Sequence, residues 1–271
     1  MTVGNRIDRV FAGLRERGEN GLMPFVCGGW PSTDATAETL VRLSAAGASV
    51  IEVGIPFSDP IADGPVIASA MHNALEAGVT TSAVLDAAAS VRGEVGCGLV
   101  AMVSVSIVER HGAGAFADRL AQAGFDGVIL PDVPLEECER LAGPMRGAGL
   151  TVSLLVAPTT PAERAKRVAA ACSGFVYLLA RTGITGETGG GVGSGIAGRV
   201  GVVRGATELP IACGFGIGSA ADVRKVVREG GADAAIVGSA LVKRMSESAG
   251  RGEDAATAAE GFVRELLEGL G

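Results

Sequence analysis

The strongest constraint on this chain is a repeat. Eight times, a helix-like stretch gives way to one or two small residues and then a short apolar run, at 21–27, 46–51, 95–103, 123–131, 148–156, 173–179, 209–213 and 232–237. Short apolar runs bounded by glycine are the pattern of strands buried on both faces. The stretches between them carry helical periodicity, as in 33–46 with Leu40, Val41 and Leu43, and 134–147 with Leu135, Cys138 and Leu141. Eight strand-then-helix units predict an α/β chain folded as a TIM (β/α)8 barrel, for which 271 residues is an ordinary length. A doubly wound open sheet is the rival, but no G-x-G-x-x-G follows the first strand. The gap after the second strand has room for two helices, 66–77 and 81–92. The glycine-rich stretch 183–198 cannot be a good helix throughout and reads as a long mobile loop after the sixth strand. Residues 1–18 are amphipathic through Ile7, Val10, Phe11 and Leu14, an N-terminal helix rather than a signal peptide, and 255–270 reads as a closing helix. No shift of composition divides the chain, so a single barrel domain over 1–271 is expected.

Composition then removes function classes. A net charge of −7 argues against nucleic acid as a partner. No apolar run approaches a membrane span, and a cytoplasmic location is expected. The five cysteines, Cys27, Cys97, Cys138, Cys172 and Cys213, are scattered without C-x-x-C spacing and read as small buried hydrophobes. His72 and His111 do not pair with ligands in sequence, so a metal-dependent aldolase is disfavoured and no metal site is expected. All three lysines, Lys166, Lys225 and Lys243, fall in helix-like stretches, which disfavours Schiff-base chemistry at a strand end.

One stretch carries chemistry. In 48–65 a strand rich in β-branched residues is interrupted by Glu52 and followed by a loop dense in Pro, Asp and Gly that holds Asp59 and Asp63. Strand alternation puts Val50, Glu52 and Gly54 on one face. A carboxylate in a buried strand is costly unless it makes a structural hydrogen bond or serves acid–base catalysis. In a barrel the functional face lies at the C-terminal strand ends, so Glu52 would point into the mouth with Asp63 above it. Tyr177, the single tyrosine, shares parity with Phe175 and Leu179 on the sixth strand and is plausible at the mouth, although a lone strand tyrosine usually belongs to the core. Asp132, after the fourth strand, is better read as a cap on the next helix.

The last two strands end in Cys213-Gly214-Phe215-Gly216-Ile217-Gly218-Ser219 and Val237-Gly238-Ser239-Ala240. Backbone N–H groups in such turns, backed by a helix N-terminus, form an anion site, and barrels commonly hold a substrate phosphate here. The alternative is glycine serving tight turns alone. What remains is carboxylate acid–base chemistry on a small phosphorylated substrate.

Pro56-Phe57-Ser58-Asp59-Pro60-Ile61-Ala62-Asp63-Gly64-Pro65, preceded by Ile51-Glu52-Val53-Gly54, closely resembles the signature of the tryptophan synthase alpha chain family. The resemblance continues through Leu130-Pro131-Asp132-Val133-Pro134, the stretch from Tyr177 to Gly186, Gly214-Phe215-Gly216-Ile217 and Gly238-Ser239-Ala240, over essentially the whole chain. It implies a barrel that cleaves indole-3-glycerol phosphate by a retro-aldol reaction into indole and glyceraldehyde 3-phosphate, with no cofactor of its own. By position, Glu52 matches the catalytic acid–base and Asp63 the carboxylate that binds the indole N–H. Phe25 and Tyr177 match residues of the substrate pocket and Thr185 the threonine of a closing loop. Gly186, Gly216, Gly238 and Ser239 match phosphate-binding positions. The resemblance also implies a partner, a pyridoxal-phosphate beta chain that consumes the indole in an alpha2beta2-type complex.

Two segments depart from the family. Cys27-Gly28-Gly29-Trp30-Pro31 stands where the family usually has Thr-x-Gly-Asp-Pro, and Met102-Val103-Ser104-Val105-Ser106 where it has Met-x-Tyr-x-Asn. Trp30 replaces an acidic residue, and Val103 and Val105 are taken as replacing the Tyr and Asn. In the family these parts lie towards the pocket or the beta-chain contact, so weaker dependence on a beta chain is expected. A stand-alone lyase releasing free indole and a non-catalytic subunit that modulates a beta chain are the alternatives; intact Glu52, Asp63 and Tyr177 argue against the second.

Overall fold

The computed structural model describes residues 4–60, 63–179, 192–214 and 216–271. Eight parallel strands close in sequence order into a barrel: β1 (Gly21–Cys27), β2 (Val50–Gly54), β3 (Gly98–Met102), β4 (Gly127–Leu130), β5 (Thr151–Val156), β6 (Val176–Leu179), β7 (Ile211–Gly214) and β8 (Ala234–Val237). The helices around it are α2 (Thr33–Ala46), α3 (Pro65–Glu76), α4 (Thr81–Val91), α5 (Val105–His111), α6 (Ala113–Gln122), α7 (Cys138–Gly147), α8 (Ala162–Ala171), α9 (Val192–Arg204), α10 (Ala220–Arg224), α11 (Ser239–Gly250) and α12 (Ala255–Leu267), with α1 (Arg6–Arg17) preceding the first strand. The two helices expected between the second and third strands are α3 and α4. The closing helix ends at Leu267, short of residue 270. Residues 180–191, the expected mobile loop with Thr185 and Gly186, lie outside the described residues. From Val192 onward the glycine-rich stretch is helical, against expectation: Ile196, Val200 and Val203 are buried, and that packing outweighs the poor propensity of the glycines between them. Among the described residues no helix is long and apolar enough to cross a membrane.

The strand register fixes which side chains share a height. Phe25 pairs with Glu52, Glu52 with Val100, Val100 with Gly127 and Gly127 with Thr151. Continued through Leu155–Tyr177, Tyr177–Ala212, Ala212–Ala234 and Ala234–Gly21, the circuit returns to β1 eight residues below its start. That stagger is the shear of a TIM barrel, in which alternate strands supply each interior layer. The lowest layer is Val50, Gly127, Phe175 and Ala234. Above it lie Met23, Val100, Ser153 and Ala212, and above those Glu52, Ile129, Tyr177 and Ile236. Phe25, Met102, Leu155 and Gly214 form the rim. Apart from Phe25, the apolar side chains of these layers pack as one interior cluster, separate from the larger cluster between strands and helices.

The barrel is plugged from below by α1. Ile7, Phe11 and Leu14 are buried, and the Phe11 and Phe175 rings stand 6.0 Å apart. A Cβ on Gly98 would lie 2.5 Å from Ile7, so glycine there is what lets α1 approach. Asn5 caps α1 through the Ile7 N–H and ties it to the barrel by donating to the carbonyls of Asp126 and Gly149, each at 2.7 Å.

Candidate active site at the barrel mouth

Glu52 lies in the top full layer of the barrel, fully buried, and among the described residues neither of its carboxyl oxygens has a hydrogen-bond partner. β2 and β6 stand four strands apart in a ring of eight, so Glu52 and Tyr177 face each other across the axis. The other two members of the layer, Ile129 and Ile236, are apolar. Burial pushes the Glu52 carboxyl well above its ordinary range, and burial also raises the Tyr177 phenol, with Glu52 and Asp63 adding to the effect. Burial thus favours the neutral, protonated form of Glu52, the form that can act as an acid.

Small residues keep the space above this layer open. A Cβ on Gly54 would fall 2.4 Å from the Phe25 ring, so glycine at the end of β2 is what lets Phe25 lie over the mouth. A Cβ on Gly214 would come within 3.2 Å of the Tyr177 hydroxyl. Phe25 packs with Cys27, Ile67, Met71 and Val242, so the wall of the mouth is built from β1, α3 and α11. Ile67, Met71 and Val242 escaped the sequence reading: on their helices they are ordinary apolar positions, and only the closure of the barrel turns them towards Phe25.

Asp63 sits half-buried on the loop after β2, where its N–H donates to the Pro60 carbonyl at 3.0 Å. Burial raises its carboxyl to about 6. The two carboxyls thus sit in different settings: Asp63, half-buried on the loop, is raised to about 6, and Glu52, fully buried in its strand, is raised by burial alone. The Cys27 thiol is pushed up to about 12, chiefly by burial and secondarily by Asp63, which makes it a neutral neighbour rather than a nucleophile.

The two glycine turns differ. Gly216 is exposed with φ +77°, a left-handed conformation that favours glycine; the helix behind it, α10, has its N-terminus already capped by Ser219, which accepts from the Asp222 N–H. Gly238 opens the twelve-residue α11 with no side-chain cap, so that helix keeps free N–H groups at its start. Ser239 is the first residue of α11, and a Cβ on Gly64 would lie 3.9 Å from its hydroxyl. The Asp63 loop therefore meets the open end of α11. Phe215, Thr185 and Gly186 lie outside the described residues.

Two expectations are corrected. Asp132 does not cap the helix that follows it. Its carboxylate accepts from the Ser104 hydroxyl at 2.6 Å and from the Val105 N–H at 2.9 Å, holding the start of α5, the helix of the preceding unit. Val103 and Val105 are not the positions that lost polar groups. Val103 is buried against the outer helices, Val105 opens α5, and residue-by-residue matching sets Ser104 and Ser106 opposite the Tyr and Asn. Trp30 is half-buried and turns inward: its indole N–H donates to Ser246 of α11 at 3.1 Å. All three lysines lie on helices, and all five cysteines are free, four of them buried.

Comparison with known proteins agrees with this geometry. The family model described as tryptophan synthase alpha chain matches residues 11–270. The tryptophan synthase alpha chain of Synechococcus sp. is 45% identical over 92% of this chain and 91% of its own length, and that of Synechocystis sp. is 42% identical over 97% and 98%. Among solved structures, tryptophan synthase from Mycobacterium tuberculosis superposes with a TM-score of 0.88 at 31% identity, covering 98% of both chains. The alpha subunit from Legionella pneumophila gives 0.88 at 29%, with the same coverage. A barrel with a buried, unpartnered glutamate at its mouth and full-length likeness to these proteins leaves one placement: the chain belongs to the tryptophan synthase alpha chain family.

Proposed function

We propose that this chain is a lyase that cleaves indole-3-glycerol phosphate into indole and glyceraldehyde 3-phosphate, as the alpha subunit of tryptophan synthase in tryptophan biosynthesis. The observation that carries the reading is Glu52, buried beneath the mouth with both oxygens free of partners among the described residues. The reaction needs C3 of the indole protonated, the resulting positive charge at the ring nitrogen stabilised, and a proton removed from the hydroxyl on C3′. Glu52 supplies the first proton, and its carboxylate form then accepts the hydroxyl proton. The C3–C3′ bond breaks, its electron pair restores the aromatic indole, and C3′ becomes the aldehyde carbon. One carboxyl cycling between its two forms suits a group raised by burial. Asp63, ionised above about pH 6, pairs with the indole N–H as charge develops there. Phe25 and Tyr177 shape the pocket. Gly238 and Ser239, at the open end of α11, hold the phosphate together with Gly216 and Gly186, and Thr185 belongs to the loop that closes over the site. The expected partner is a beta chain that takes up the indole, and the expected compartment is the cytoplasm.

The test is indole release from indole-3-glycerol phosphate by the purified chain and by two variants. Glu52→Gln is expected to bind substrate but lose about 10²–10⁴ in rate, as general acid–base residues do. Asp63→Asn is expected to lose about 10²–10³, the cost of removing one group that stabilises transition-state charge. Near wild-type turnover in a folded Glu52→Gln would make Glu52 structural and end the mechanism.

A further inference from the structure

Among the described residues, three buried side-chain atoms lack a hydrogen-bond partner: the two carboxyl oxygens of Glu52 and the hydroxyl of Ser153. Both residues lie inside the barrel. Val152 and Leu154 pack in the cluster facing the helices, so Ser153 between them faces inward, and it is 1% exposed. Its layer lies directly beneath that of Glu52, and its layer mates Met23, Val100 and Ala212 are apolar. The layer below that has no polar side chain at all. Among the described residues Ser153 is therefore the side-chain hydrogen-bonding group directly under Glu52; Thr151, two residues lower on the same face of β5, lies beneath the layer of Val50 and Phe175. β5 and β2 stand three strands apart in the ring of eight, so the two side chains approach the axis from nearly opposite walls. Ala212 keeps the layer between those walls small. A buried hydroxyl without a partner is less favourable than alanine at the same place, and groups so placed are commonly joined by a single buried water.

We propose that Ser153 is a positioning residue for Glu52: its hydroxyl donates through one buried water to the Glu52 carboxylate and steadies that form between the two proton transfers. The proposal rests on Glu52 being the acid–base of the reaction above. The other groups that face Glu52 are Tyr177 from β6 and Asp63 on the loop above β2, with Cys27 of β1 beside Asp63. The faces that β3, β4 and β8 turn inward, at Val100, Ile129 and Ile236, are apolar. No cation is among these groups, so among the described residues the hydroxyls of Ser153 and Tyr177 are the donors nearest an ionised Glu52.

The experiment reads the carboxyl titration of Glu52 itself, by carbon-13 NMR of protein labelled at glutamate carboxyls, with the resonance assigned by its loss in Glu52→Gln. Wild type is compared with Ser153→Ala and Ser153→Thr. Ser153→Ala is expected to raise the midpoint by about one pH unit, a tenfold change in proton affinity of the size one hydrogen bond to a charged group supplies. Its kcat is expected to fall about three- to tenfold near neutral pH with KM unchanged, and Ser153→Thr to restore both readings. A serine that only fills space would change thermal stability and leave the titration in place, so an unmoved Glu52 midpoint in Ser153→Ala overturns the proposal. A shifted midpoint alongside full turnover in Glu52→Gln would keep the pairing and reject only the catalytic role of Glu52.

Discussion

Glu52 and Asp63 have the same functional group, and burial raises the proton affinity of both, one inside a strand and the other on a loop. Each shift is also a statement about stability. Native Glu52 keeps its proton at pH values where the unfolded chain, near the ordinary 4.5, has released it. The native state then binds more protons than the unfolded state, and stability falls as pH rises from about 4.5 through the raised native value. Asp63 acts in the same direction over a narrower window, from 3.8 to about 6. Glu52→Gln removes the larger contribution. Its denaturant midpoint is expected to match wild type near pH 4 and to exceed it increasingly as pH rises above about 4.5. A gap that stays constant with pH would mean that the buried carboxyl is not titrating as its surroundings dictate. The sequence disclosed Glu52 and Asp63 because a carboxylate inside an apolar strand and another in a Pro-Asp-Gly loop are conspicuous. Ser153 was silent for the opposite reason: a serine in a strand is ordinary until the register sets it beneath Glu52.

At the scale of elements, the phosphate reading depends on the start of α11. Its first turn has no side-chain cap, and α10, the other candidate, has its first turn closed by Ser219. Gly238 is half-buried, and a Cβ there would lie 3.5 Å from Ile67 and 3.8 Å from Phe25, which is ordinary contact. A larger side chain would have to push into that corner or into the anion's place. Gly238→Asp adds bulk and negative charge where N–H groups should face a phosphate, so binding of glycerol 3-phosphate is expected to be lost in calorimetry while the barrel stays folded. Unchanged affinity would put the phosphate elsewhere. The same scale shows what local reading can reach. Barrel strands are buried on both faces, so they appear as bare apolar runs and were legible to within a few residues. The cap formed by Asp132 was not legible: its partners, Ser104 and Val105, belong to the preceding strand–helix unit, and local capping rules look only along the chain. The helical character of α9 was hidden by its glycines and becomes evident only from the packing of Ile196, Val200 and Val203.

For the molecule as a whole, the open matter is how strongly activity depends on a partner. A lyase whose competent state is rarely populated alone gains rate when a docked partner orders its loops, and the gain measures the missing population. Here the segments that depart from the family spend their hydrogen-bonding groups internally. The Trp30 N–H is bound to Ser246, joining the loop after β1 to α11, and Ser104 is bound to Asp132, joining the start of α5 to the loop after β4. Both ties span neighbouring elements at the mouth end of the barrel, so they brace the site from within the chain, while fewer polar groups remain to reach a second chain. Losing polar contacts across an interface weakens coupling; gaining an aromatic can strengthen docking, but a half-buried Trp30 turned towards α11 offers only part of its surface. The expected outcome is a chain that still binds a beta-type partner and is stimulated by it less than several hundred-fold. Indole formation measured over a range of beta-chain concentrations, with co-elution read alongside, decides the point. Stimulation of several hundred-fold or more would show that internal bracing does not replace the partner. No stimulation with no co-elution would instead identify a lyase that works alone and releases its indole.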